Sequence, residues 1–300
     1  MFKDPNFVIS SDSTCDLYRD YAVANDIRIV PLRYTMEENG ALTEGVDDFA
    51  AYGEYVDFYR RLRAGGFSRT SMLTYEAHCA HFEKLIAEGA REIIHLSLSS
   101  GLSPTANVAA QAAADVAAKH PGCKIYPVDS FAATIGQGEL ACEAVRMRAG
   151  GKSAAGTAEL LRPMPFHFQY AIIANDLYYL KKGGRVSAIA AAAGTMLKIK
   201  PVLSFTKEGK LIVIEKCKGM KKAFSRTLER MEKMPPVEEN RIIHIVHTDN
   251  EADAATLADL VEARWGTRPT ISIMGPVIGS HVGPGSVSMI WRTKEVRNDG

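Results

Sequence analysis

Residues 92–130 read EIIHLSLSSGLSPTANVAAQAAADVAAKHPGCKIYPVDS, and this stretch decides the fold. Glu92–Leu98 is a short apolar run that reads as a strand. A loop of serine, glycine and proline follows, in which Pro104 suits a first helical turn. Thr105–Lys119 reads as an alanine-rich helix and Lys124–Val128 as the next strand. A strand, a crossover helix and a second strand predict a right-handed βαβ unit in a mainly parallel sheet.

The same alternation extends outward. Upstream, strands at Phe7–Ser10 and Ile27–Tyr34 alternate with helices at Leu17–Asn25, Asp47–Ala64 and Tyr75–Glu88, and Gly65-Gly66 supplies a stop signal. Downstream, the helix Phe131–Ala149 ends at Gly150-Gly151. After about Arg162 the pattern changes, because Pro163 and Pro165 break the helix. Phe168–Ala174 starts a new strand. Lys200–Phe205 and Leu211–Lys216 flank Thr206–Lys210 as an antiparallel hairpin. A helix (Met220–Lys233), a strand (Ile242–His247), a helix (Ala252–Trp265) and a strand (Thr270–Ile273) follow. A Gly/Pro loop then leads to a final strand at Val287–Trp291. The predicted class is α/β in two domains. Residues 1–165 form a parallel-sheet βαβ domain, and residues 166–300 form a mixed α/β domain whose last strand is free to return to the first.

Composition narrows the function. Among 300 residues, 36 basic side chains balance 35 acidic ones, without the basic excess of a nucleic-acid binder. The five cysteines, Cys15, Cys79, Cys123, Cys142 and Cys217, form no C-x-x-C pair. They read as free thiols in a reducing compartment, without a zinc site. No run of 18 apolar residues and no signal-peptide pattern occurs, so a cytoplasmic protein without stable membrane insertion is expected.

Several loops carry chemistry. Ser10-Ser-Asp-Ser-Thr-Cys-Asp16 and Asp129-Ser130 each follow a strand, so both are expected at the carboxyl edge of the sheet, where ligands bind. The same residues also serve as plain helix caps. Ser97–Thr105 adds hydroxyls to the free N–H groups of a helix start, a site for phosphate or carboxylate, or again a serine-rich cap. Thr70-Ser71 alone reads as a turn. Arg185, in Lys181-Lys-Gly-Gly-Arg-Val-Ser187, has a planar fork for an anion. Gly275–Gly285 combines four glycines and two prolines around His281, a loop path unusual enough to suggest a functional histidine. His244 and His247 are expected on opposite faces of a strand, and His78 and His81 on a solvated helix face. Lys198, Lys200, Lys207, Lys210, Lys216, Lys218, Lys221 and Lys222 form a basic stretch, either a solvated surface or a docking face. Ala109–Ala114 and Ala188–Gly194 are small-residue runs that allow a tunnel or close helix packing. No Walker or G-x-G-x-x-G motif is present.

Taken together the loops resemble the DegV family over nearly the whole chain. The resemblance is carried by Ser11–Leu17, Asn25–Leu32, Thr70-Ser71, Leu98–Ser103, Val128–Ser130, Lys182–Arg185, Ile199–Pro201 and Gly275–Gly285. It implies a fatty-acid-binding protein of two α/β domains with the acyl chain, about C14–C18, in a tunnel between them. It implies no cofactor and no catalysis alone. The bound acid is presented to a separate ATP-binding fatty-acid kinase catalytic subunit, which makes acyl-phosphate. Carried over by motif, the carboxylate contacts are Thr70, Ser71, Ser99, Ser100 and His281, with Arg185 nearby. Pocket support falls on Ser13, Thr14, Asp129, Ser130, Gly279 and Gly283. The chain reads Thr70-Ser-Met-Leu-Thr74 where the family usually has Thr-Ser-Gln-Pro-Ser. It reads Ser103-Pro-Thr-Ala106 where the family usually has Ser-Gly-Thr-Tyr. Met72 and Pro104 therefore alter the expected pocket mouth. Two readings compete with binding. A serine of 97–103 with His281 as base would make a lipid hydrolase or acyltransferase, although no G-x-S-x-G elbow occurs. A self-contained small-molecule kinase lacks its phosphate loop.

Overall fold

The computed structural model describes residues 7–175, 177–186, 199–239 and 241–297. Ser187, Lys198 and the small-residue run 188–194 lie outside the described residues. The chain divides into two compact units. One comprises Met1–Tyr34, Gly45–Ala50 and Thr70–Pro165, the other Thr35–Glu44, Ala51–Arg69 and Phe166–Gly300.

The first half runs β1 (Val8–Asp12), a 3-10 turn (Ser13–Cys15), α1 (Arg19–Ala24), β2 (Ile27–Val30), β3 (Arg33–Glu38), β4 (Ala41–Val46), α2 (Tyr52–Arg63), β5 (Phe67–Ser71), α3 (Tyr75–Ala87), β6 (Glu92–Ser97), α4 (Thr105–Lys119), β7 (Lys124–Asp129), α5 (Ile135–Ala149) and α6 (Ala154–Leu161). Four strands form a parallel sheet in the order β2-β1-β6-β7. The parallel βαβ reading of 92–130 therefore holds. A small sheet, β4-β3-β5, is separate from it. The second half runs β8 (Phe168–Ile173), α7 (Tyr178–Lys182), β9 (Ile199–Phe205), β10 (Leu211–Lys218), α8 (Met220–Lys233), β11 (Ile243–His247), α9 (Glu251–Trp265), β12 (Thr270–Ile273), α10 (Pro276–Val282) and β13 (Val287–Arg292). Its sheet, β10-β9-β8-β13-β11-β12, is mixed. Among the described residues only the neighbours β11 and β12 of this sheet run parallel, and the predicted hairpin is the antiparallel pair β9–β10. The last strand stands between β8 and β11 and does not return to the first sheet.

Local chemistry explains the departures from the sequence reading. The single strand expected over 27–34 splits at Pro31, which has no N–H to give a ladder, and the chain turns into a β3–β4 hairpin instead. Asn39 and Gly40 take φ of 50° and 81° at its tip, the left-handed pair that two-residue hairpins require. The helix expected over 47–64 starts only at Tyr52, where Glu54 reaches back to the Ala51 N–H at 2.8 Å. That over 131–149 starts only at Ile135, because Phe131 and Thr134 take positive φ. Thr70 and Ser71 end a strand rather than forming a turn. The Gly/Pro stretch 275–285, read as a loop, contains a short helix with Pro276 in its first turn. Ala112 and Ala113 pack with Phe82, Leu85, Ile93 and Val116 in one core, so in this run the small residues serve close helix packing.

His78 and His81 correct a further expectation. Neither is on a solvated face: His78 is fully buried and His81 half-buried. Ser10 Oγ lies 2.7 Å from His81 Nε2 and 3.0 Å from His95 Nδ1, so its hydroxyl can donate to one ring and accept from the other. His78 Nε2 is 3.3 Å from Thr105 Oγ1, and the Phe82 ring meets His95 edge-on. Burial pushes His78 and His81 down to about 4 and His95 well below its usual value, and Arg28 and Lys84 further disfavour charge on His81. Asp47 titrates in the opposite sense. It is buried and accepts from Ser13 Oγ at 2.8 Å, while Leu32 N–H donates to the same Ser13 oxygen at 3.0 Å. Burial, reinforced by the charges of Asp12 and Asp48, pushes its carboxyl up to about 7.

The unfolded chain protonates its histidines near 6.5, above the folded values, so each buried ring removes ~1.4 kcal/mol of stability per pH unit as pH falls from about 6.5 toward 4. The Cε1–H NMR signals of His78, His81 and His95 should accordingly hold their neutral positions from pH 7.5 down to 5, and titration of any of them near 6.5 would contradict this packing. Asp47, with its folded value raised, loses ~1.4 kcal/mol per unit as pH rises from about 4 to 7. Urea unfolding of Asp47→Asn against wild type should show the variant's relative stability climbing over that window and levelling above it.

Candidate functional site

In the parallel sheet the chain leaves β1 for β2 on one side, then returns to place β6 on the other. This reversal makes the carboxyl ends of β1 and β6 the switch point of the sheet, the place where ligands bind in open α/β sheets. Asp12 sits there, fully buried. Its Oδ1 accepts from the Thr14 N–H (3.1 Å), the Thr14 hydroxyl (2.5 Å) and Gln137 Nε2 (2.9 Å), and its Oδ2 accepts from the Leu98 N–H (2.8 Å). Burial raises the carboxyl, and these donors from Thr14, Leu98 and Gln137 pull against the rise. Gln137 also donates to Ser11 Oγ at 3.0 Å. The helix carrying Gln137 approaches closely at Gly138, where a Cβ would lie 2.6 Å from the Cys15 carbonyl oxygen.

The serine loop after β6 is held from two sides. Leu98 is fixed by Asp12, and Ser100 N–H lies 3.2 Å from Asp129 Oδ1. Ser99 N–H donates to Ala132 O, and Ser130 N–H to Ser97 O. Asp129 also accepts from Phe131 N–H at 2.9 Å. The sequence-predicted Ser13, Thr14, Ser99, Ser100, Asp129 and Ser130 are therefore brought together at one sheet edge. Ser99 and Ser130 are buried and Ser100 is half-buried. The Ser99 hydroxyl oxygen accepts from Gly101 N–H at 3.2 Å, which helps hold the loop. Thr70, half-buried, and Ser71, exposed, end β5 in the separate small sheet.

The second unit gathers Arg185 and His281. His281 lies in the last turn of α10, and burial together with the positive charge of Arg185 pushes its imidazole down to about 4. It is thus neutral at neutral pH. Arg185 Nη1 donates to the Gly183 carbonyl at 2.5 Å. The glycines around α10 are sites of close approach. A Cβ on Gly279 would fall 2.3 Å from the hydroxyl of Tyr59, which itself donates to Met274 O at 2.7 Å. A Cβ on Gly283, at φ +75°, would fall 2.1 Å from the Tyr179 ring. Ser280 Oγ lies 2.6 Å from Ser68 Oγ.

Sequence reasoning missed Gln137, Asp47, Tyr59 and Gly183. A glutamine flanked by two glycines at a helix start was the one signal available for Gln137. Of the lysines, Lys207, Lys210, Lys216, Lys218, Lys221 and Lys222 are exposed, while Lys200 donates to Asn175 O at 3.1 Å. All five cysteines are free thiols. Among the described residues no cluster of three His, Cys, Asp or Glu could hold a metal, and no helix is long and apolar enough to cross a membrane.

Residues 6–294 match the family described as uncharacterised protein, DegV family. A DegV domain-containing protein of Clostridium perfringens, CPE0026, is 32% identical over 286 residues, covering 95% of this chain and 97% of that one. A DegV lipid-binding protein of Thermotoga maritima, TM1468, superposes with a TM-score of 0.83 at 30% identity, over 97% of this chain and all of that one. Bacillus subtilis DegV, a fatty-acid-binding protein, superposes with a TM-score of 0.79 at 26% identity, again over 97% of this chain and all of that one. A match running from the first strand to the last, on a parallel sheet and a mixed sheet of this topology, leaves one assignment: the chain belongs to the DegV family.

Proposed function

We propose that this protein binds one long-chain fatty acid, about C14–C18, and presents its carboxylate to a separate ATP-dependent kinase subunit that forms acyl-phosphate. The observation that carries the ligand class is the full-length likeness to B. subtilis DegV, named as a fatty-acid-binding protein. The head-group assignment rests on chemistry. A carboxylate leaving water needs donors and a cation, and the residues proposed for it are Thr70, Ser71, Ser99, Ser100, His281 and Arg185. The neutral imidazole of His281 donates without itself demanding a counter-charge, and a bound carboxylate would stabilise its protonated form. Ser13, Thr14, Asp129 and Ser130 support the serine loop, as Gly279 and Gly283 support α10. A chain of about 14 methylenes taken out of water contributes roughly 11 kcal/mol gross at ~0.8 each, reduced by the cost of immobilising it.

The kinase reading rests on the division of labour that the sequence suggests, since the chain carries no phosphate-binding glycine motif. The exposed lysines 207–222 with Lys181 and Lys182 are the proposed docking face, and the cytoplasm the proposed location.

Lipid extraction of purified protein should yield a C14–C18 acid in stoichiometric amount. Delipidated protein that binds no C12–C20 acid saturably in calorimetry would overturn the ligand class. His281→Ala should weaken palmitate binding by about 0.5–3 kcal/mol, the range of one neutral or charge-assisted hydrogen bond, while leaving binding measurable because burial of the chain is unchanged. With ATP, magnesium and fatty acid, the protein alone should form no acyl-phosphate, and robust product would refute the separate-subunit reading.

A further inference from the structure

The two glycines of Lys182-Gly-Gly-Arg185 do different work. Gly184 has φ +70° and nothing within 4 Å of a Cβ placed on it, so glycine is needed there for the backbone alone. Gly183 is the reverse. Its φ of −78° and ψ of −8° are ordinary right-handed values open to any residue. Space is what forbids a side chain: a Cβ on Gly183 would lie 2.4 Å from His281 Nδ1, 3.2 Å from His281 Cε1 and 3.2 Å from Tyr179 O. The backbone has little room to retreat, because Gly183 N–H donates to Tyr179 O at 2.8 Å, Gly184 N–H to Lys181 O at 3.1 Å and Arg185 N–H to Leu180 O at 3.1 Å. The carbonyl of the same residue accepts from Arg185 Nη1. One residue thus faces the imidazole with its bare Cα and the guanidinium with its oxygen.

We propose that Gly183 is a positioning residue of the head-group site, its missing side chain forming the seat of the His281 imidazole while its carbonyl anchors Arg185. This rests on the reading of His281 and Arg185 as carboxylate ligands, and it assigns their spacing to the closing turn of α7. A methyl group at 183 drives the ring off its seat without altering either functional group, so the effect on ligand binding passes through His281.

The experiment combines the His281 imidazole NMR signal with palmitate calorimetry on four delipidated proteins: wild type, Gly183→Ala, His281→Ala and the double variant. Gly183→Ala is expected to shift the His281 signal and to weaken palmitate about fivefold or more, within the range of one lost hydrogen bond. In the His281→Ala background the same substitution should change affinity less than about twofold, the non-additivity of residues acting as a unit. An unmoved His281 signal in Gly183→Ala, or an equal loss of affinity in both backgrounds, overturns the proposal. Equal affinity of His281→Ala and wild type instead overturns the head-group reading itself, with the NMR signal still reporting on the seat. Should Gly183→Ala fail to fold, recovery of a cooperative melt on adding His281→Ala supports the seat, and failure to recover overturns it.

Discussion

The arrangement of the first unit depends on the cost of burying the Asp12 carboxylate. A carboxyl group taken fully out of water must be met by donors or it destabilises the fold. Here the donors come from three separate pieces of chain: the turn after β1, the loop after β6 and the start of α5. Meeting that one demand makes those pieces a single object. The serine loop inherits its position from this, and Asp129 completes it from the neighbouring strand. Removing Asp12 would strand donors 2, 86 and 125 residues away in sequence.

The second unit is organised by missing volume instead. Tyr59, Tyr179 and His281 each occupy space that a methyl group on Gly279, Gly283 or Gly183 would take. A hydrogen-bond network tolerates small shifts because its members can re-aim, whereas a ring packed against a bare Cα must leave its place when that space is filled. The two halves of the proposed head-group set are therefore held by different physics, one electrostatic and one steric. Substitutions near each should fail in different ways.

Much of this was legible in the sequence where local signals and tertiary demands agree. Thr105–Lys119, Met220–Lys233 and Thr270–Ile273 form the elements that their patterns predict. The Asn39-Gly40 hairpin signal was present and went unread. Pro276 and Gly283 look like loop residues until they are seen as the start and stop of one short helix. The capping reading of the hydroxyl-rich stretch after β1 was sound, since Asp12 does accept from Thr14 N–H. Its bond to Leu98 was invisible because nothing local announces a partner so remote. The histidines show the same limit: the spacing of His78 and His81 puts them on one helix face, but only the register of β1 against β6 reveals that Ser10 and His95 wait beneath it.

The place of β13 bears on how the chain is made. Strands β8, β9 and β10 form one group and β11 and β12 another, and β13 is the strand that pairs with both. During synthesis the second sheet is two fragments with facing unpaired edges until residues 287–292 have left the ribosome. Those edges are templates for wrong pairing, whereas the strands β1, β2, β6 and β7 of the first sheet are all complete by Asp129. The nascent chain therefore carries a finished parallel sheet and an open mixed one while the residues from Phe168, where β8 begins, to Arg292, where β13 ends, are being translated. Its exposure to misassembly is concentrated in that interval.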